Sequence, residues 1–124
     1  MAATEPKDSH ALFSRFTEER NLEDLLELYD AEAVYVPAKG QRLSGHAQIR
    51  PMLEAMLAPG NPLPRLELVD LIVRGDVALE RTRWILDFEG ADGEPGQASG
   101  DSTVVLGKQD DGCWRILIDD PGLG

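Results

Sequence analysis

The chain has 124 residues, 23 of them acidic and 12 basic, for a formal net charge of −11. With 42% hydrophobic and 28% charged residues it has the balance of one globular domain that buries about two-thirds of its unfolded surface. Charge of this sign repels phosphate backbones and anionic lipid, and no apolar run approaches the ~20 residues that span a bilayer, so neither a nucleic acid nor a membrane is an expected partner.

Residues 1–7 read as a loose tail ahead of a single domain that takes up the rest of residues 1–124. Asp8 or Ser9 can cap a first helix, from about Ser9 to Glu19, in which Leu12, Phe13 and Phe16 fall at helical spacing. Asn21 caps a second helix, with Asp24 three residues on, and Leu22, Leu25, Leu26 and Tyr29 follow the i, i+3, i+4, i+7 rule to an end near Asp30. Ala33 to Pro37 is a short strand closed by the missing donor of Pro37. Ile49, Met52, Leu53 and Met56 form the stripe of a third helix. Pro51 fits best in its first turn, which places the regular helix later than the stripe implies.

The second half alternates. Leu66 to Val73 and Val77 to about Phe88 are strands joined by Gly75 and Asp76, a Gly-first link that favours a type II′ hairpin. Residues 90–96 are a loop, Gly100 to Lys108 a third long strand, and Asp110-Asp111-Gly112 a turn into a last strand from Cys113 to about Asp119. Helices first and antiparallel strands last is an α+β arrangement, with helices packed on one face of a curved sheet. A parallel α/β fold is disfavoured because no helices separate the last four strands.

Several chemistries lack their signature. The opening residues carry no hydrophobic signal core, which points to the cytoplasm. Cys113 is alone, so neither an intrachain disulfide nor a thiolate cluster is expected. His10 and His46 stand far apart with no H-x-H or H-E-x-x-H spacing, so no metal is expected. The glycines form no G-x-G-x-x-G, Ser44 and Ser102 have no nucleophile-elbow context, and no cofactor is expected.

Three stretches carry a resemblance to a known family. Asn21 to Val34 (NLEDLLELYDAEAV) is similar to a helix running into a first strand. Leu43 to Arg50 (LSGHAQIR) is similar to a "G-x-x-x-I" helix entry. Gly100 to Leu106, Asp111 to Ile116 and Asp119-Asp120-Pro121 are similar to a closing hairpin "T-x-V-L … D-G-x-W-R-I … D-x-P". In this order and spacing the chain, from about residue 9 onward, resembles the nuclear transport factor 2-like superfamily, which includes ketosteroid isomerases and SnoaL-like polyketide cyclases. The resemblance implies a cone-shaped, curved antiparallel sheet wrapped around N-terminal helices, of cystatin-like type. It fixes a fold and not a chemistry.

The resemblance also implies a pocket at the wide end of the cone. Phe16, Tyr29, Tyr35, Met52, Met56, Trp84 and Trp114 are candidates to line it, against the alternative that they fill a core. Asp119 is the first candidate for a general acid/base and Asp101 the second, because a carboxyl in an apolar cavity has a raised pKa and can carry protons near neutral pH. The alternative is that Asp119 caps a strand end and Asp101 is a solvated edge residue. Arg83, if it points inward, would bind a carboxylate or pair with Asp101 or Asp119; if outward, it is a cross-strand ion pair. The match to true ketosteroid isomerases breaks at their functional positions. Phe13 and Phe16 stand where a Tyr donor is expected, and Val36-Pro37-Ala38 holds no Asp.

Two functions follow as expectations. One is an internal apolar pocket for a small hydrophobic molecule, with cofactor-independent proton transfer of isomerase, cyclase or hydratase type. The other is a non-catalytic ligand-binding or dimerisation module. The long apolar strands at 66–73 and 100–107 need cover, so a C2 homodimer through the sheet face is expected.

Overall fold

The computed structural model describes residues 2–122. In chain order the elements are α1 (Pro6–Glu18), α2 (Leu22–Glu27), β1 (Tyr29–Tyr35), β2 (Leu43–Ser44), α3 (His46–Leu57), β3 (Arg65–Arg74), β4 (Val77–Glu89), β5 (Pro95–Lys108) and β6 (Trp114–Asp120). All six strands form one sheet in the order β2-β1-β6-β5-β4-β3. This is the expected α+β fold with its curved sheet and N-terminal helices. One pairing differs from a wholly antiparallel layer. The β3–β6 meander brings the chain back beside β1, and β1 and β6 run parallel.

The N-terminal segment is not a loose tail over the residues described; Met1 lies outside them. Ala3 is buried and bridges to Trp114, whose N–H donates to the Ala3 carbonyl at 2.7 Å. Helix α1 starts at Pro6, with no side-chain cap from Asp8 or Ser9. A proline at the first helical position loses nothing, because that N–H has no intrahelical partner and its φ is already helical. Asn21 caps α2 as expected: its side-chain oxygen accepts from the Asp24 N–H at 3.2 Å, and its Nδ2 donates to Asp24 Oδ2 at 2.8 Å. Of the stripe that ends on Tyr29, Leu25, Leu26 and Tyr29 are buried and Leu22 is partly buried, but Tyr29 already belongs to β1, so the strand begins earlier than Ala33. Helix α3 runs unbroken from His46 with Pro51 inside it, beyond the first turn. The proline is exposed, so its ring meets solvent and only one backbone bond is forgone.

Gly75 has φ +58° and Asp76 is not in the positive-φ region, which agrees with a Gly-first type II′ turn. Strand β5 starts at Pro95, five residues before Gly100. The expected loop ends at Gly96 and the expected strand starts at Gly100; Gly96, Ala98 and Gly100 are all small. In the sheet they lie opposite Phe88, Leu86 and Trp84 of β4. A Cβ on Gly96 would sit 2.5 Å from the Phe88 ring, and one on Gly100 would sit 2.5 Å from the Trp84 ring. Aromatic rings thus cover the glycines and supply the packing that glycine lacks.

The core lies between the helices and the inner sheet face. Phe16, Leu25, Leu28, Tyr29, Ile49, Leu53, Leu106 and Ile116 are almost fully buried there. Each such side chain stabilises the fold by about 1.5–3 kcal/mol relative to exposure.

Candidate functional site

Alternation on β4 decides what faces inward. Ala78, Glu80 and Thr82 are buried, whereas Val77, Arg81 and Arg83 are exposed. Strand register then lines up the inner face in rows. Glu80 of β4 pairs with Val104 of β5, Val104 with Asp119 of β6, and Asp119 with Tyr35 of β1. The next rows along β4 and β5 are Thr82 with Ser102, Trp84 with Gly100, and Leu86 with Ala98. Carboxyl and hydroxyl groups occupy one end of this face, and aromatic and small apolar residues the other.

Two cavities follow these rows. A small inner chamber, about 40 Å³, is lined by Glu80, Asp119, Thr82, Ser102, Ser9 and His10, with apolar neighbours Phe13, Leu66, Val104 and Ile116. That is room for about three water-sized groups. An open apolar pocket of about 540 Å³ is lined by Tyr35, Met56, Trp84, Leu86 and Ala98, with Asn61, Pro62 and Pro64 at its loop side. Phe13 and Leu66 border both cavities. Trp84 is held against Gly100 by its indole N–H, which donates to the Pro121 carbonyl at 2.8 Å. Arg20 holds the loop after α3 by donating to the carbonyls of Leu57, Ala58 and Asn61 at 2.8–3.1 Å.

Asp119 is 6% exposed, and its Oδ2 accepts from the Tyr29 hydroxyl at 2.6 Å. Burial pushes its pKa up to about 6; the Tyr29 hydrogen bond opposes that rise and the Asp120 charge adds to it. Burial and the neighbouring Asp119 charge push the Tyr29 phenol well above its ordinary range, so Tyr29 stays a donor. Glu80 is also 6% exposed, and burial raises its pKa. Its Oε2 accepts from the Thr82 hydroxyl at 2.9 Å, while its Oε1 has no partner. Burial lowers the pKa of His10.

The other sequence candidates separate. Tyr35, Met56 and Trp84 line the apolar pocket. Tyr29 reaches the chamber through its hydroxyl bond to Asp119 and is otherwise core. Phe16 and Trp114 are corrections: both are buried in the core and line neither cavity, Phe16 because it sits on the inward stripe of α1 and Trp114 because the Ala3 segment covers it. Met52 packs against the core and also lines neither. Asp101 and Arg83 lie on the outer sheet face, opposite one another, and form an exposed ion pair at 3.3 Å. Odd-numbered positions of β4 and β5 point away from the chamber, so neither meets Asp119. Glu80, His10 and Ser102 were not among the sequence candidates. The available signal was Glu80 itself, a lone acid on the strand face that also carries Trp84 and Leu86. Among the described residues no three His, Cys, Asp or Glu side chains gather as a metal would need, and no helix is long and apolar enough to cross a membrane.

Comparison with known proteins agrees with this architecture. The model of a family described as the SnoaL-like domain matches residues 10–116. A protein from Thiobacillus denitrificans provisionally described as a calcium/calmodulin-dependent protein kinase type II association domain superposes with a TM-score of 0.76 at 19% identity, covering 98% of both chains. A nuclear transport factor 2-like protein with a cystatin-like fold from Novosphingobium aromaticivorans gives 0.75 at 18% identity, over 91% of this chain and 75% of that one. A ketosteroid isomerase-like protein from Erwinia carotovora atroseptica gives 0.75 at 13%, over 92% and 89%. At these identities the likeness is one of fold. No curated protein matches the sequence.

Proposed function

The chain belongs to the SnoaL-like domain family, and we propose that within it this protein is a small acid–base catalyst acting on a hydrophobic molecule held in the Trp84 pocket. The observation that carries the reading is Asp119, a buried carboxyl with a phenol donor at 2.6 Å and a pKa pushed up to about 6, lining a chamber that shares Phe13 and Leu66 with the apolar pocket. A group that titrates there holds and releases a proton at neutral pH, which suits isomerisation, cyclisation or hydration. In this reading Asp119 moves the proton, Tyr29 holds the carboxylate in place, and the apolar walls hold the hydrophobic body. A cytoplasmic location, where a lone thiol such as Cys113 stays reduced, goes with this reading. The test is a turnover screen over small ketones, enones and epoxides, with Asp119→Asn as the comparison. Turnover that survives the substitution removes Asp119 from the mechanism; binding with no turnover leaves a ligand-binding module.

We also propose a homodimer through the outer sheet face. Val69, Ile72 and Val77 are 51–60% exposed there, and Ile118 is 42% exposed. A patch of this kind is costly in water. Sedimentation at micromolar concentration should give a dimer, and Ile72→Asp should shift it to monomer. A wild-type monomer contradicts this.

A further inference from the structure

The chamber's charge has a consequence for what can enter it. Two buried carboxyl groups, Glu80 and Asp119, share a space of about 40 Å³. Among the described residues no Lys or Arg lines either this chamber or the apolar pocket that adjoins it. The one basic ring present is His10, which burial disposes toward its neutral form. Buried carboxyls are ordinarily paired with a cation or fully hydrogen-bonded. Asp119 has its phenol donor. Glu80 does not complete its set: Oε2 is bonded to Thr82, but Oε1, at a residue 94% removed from solvent, has no donor. The open end of the site is lined by the aromatic side chains of Phe13, Tyr35 and Trp84, which suit a hydrocarbon body.

We propose that the chamber takes the ammonium group of a small lipophilic amine, with Glu80 Oε1 accepting one of its N–H bonds and the aromatic pocket holding its hydrocarbon body. The inference rests on the reading that chamber and pocket form one ligand site, and names the class of ligand for it. An ammonium group brings three donors and one positive charge to a place that has acceptors and negative charge. Beside an ammonium charge the Glu80 carboxyl is held ionised and accepts only; a ketone brings neither that charge nor a donor for Oε1. A carboxylate ligand adds a third negative charge and is refused. In this arrangement Glu80 is a binding residue and Asp119 remains the proton carrier.

The test is calorimetric titration of the whole chain near neutral pH with three compounds of one skeleton: phenylpropylamine, benzylacetone and hydrocinnamate. The expected order is amine first, ketone about tenfold or more weaker, and carboxylate without measurable binding. In Glu80→Gln the amine should weaken by about tenfold while the ketone stays within about twofold, which also reports that the pocket is intact. A ketone that binds wild type as tightly as the amine, an amine indifferent to Glu80→Gln, or no binding by any of the three overturns the proposal. The wild-type order alone decides if the variant does not fold. Turnover lost in Asp119→Asn without amine preference sinks this inference and spares the proposed catalysis; amine preference with no turnover does the reverse.

Discussion

Asp119→Asn is expected to cost turnover about 10²–10⁴-fold and, at the same time, to make the folded chain more stable above pH 6. The two effects have one source. Burial raises the Asp119 pKa from 3.8 to about 6, so the folded state resists its ionisation. A carboxyl raised in this way contributes its full share of stability only when protonated. That share is lost as pH rises from about 4 through 6, since the unfolded chain ionises first. The loss is about 3 kcal/mol in wild type. Asparagine does not titrate, and its carbonyl can still accept from the Tyr29 hydroxyl. Removing the Asp119 charge also relieves Glu80, whose pKa that charge helps to raise. Between pH 4 and pH 7 the variant should therefore gain about 3 kcal/mol on wild type, on the order of 10 °C in melting temperature. Thermal melts of both proteins across that range check it. Parallel curves would show that Asp119 pays nothing for its burial.

Tyr29→Phe should act in the opposite direction. The variant keeps the ring, which is 1% exposed and packs edge-on against Phe13 at 6.3 Å, and removes only the hydroxyl. Asp119 Oδ2 then loses its donor. A hydrogen bond to a charged, buried group is worth about 1.5–3 kcal/mol, and the cost falls on the ionised form. Stability should drop by about that amount above pH 7 and by less below pH 5, as urea melts at the two ends would report. The same bond lowers the Asp119 pKa in wild type, so its loss moves the acid limb of the turnover profile to higher pH. A profile that does not move separates Tyr29 from the proton carrier.

Much of the fold is written in local pattern. The Asn21 cap, the stripe through Leu25 and Leu26, and the Gly75 turn are short-range rules, and each appears where its residues stand. What was misread depended on contacts distant in sequence. Ala3 is buried, and not part of a loose tail, because Trp114 lies beside it. Gly96 belongs to a strand and not to the expected loop, with the Phe88 ring of β4 covering it. At the site, the face of each side chain was legible from alternation, but the choice of inward face was not. Asp101 and Arg83 fall outward and Glu80 inward because the period is two and the helices cover one side. Glu80 and Asp119 are 39 positions apart in the chain, and only the registers of β4 with β5 and β5 with β6 put them in one row.

The central claim is that a carboxyl inside this sheet holds a proton into the neutral range. Carbon-13 NMR titration of the Asp119 side-chain carboxyl, assigned by its disappearance in Asp119→Asn, measures that directly. A midpoint near pH 6 is the predicted result. A midpoint near the ordinary 3.8 would contradict it and leave the chamber without its proton carrier.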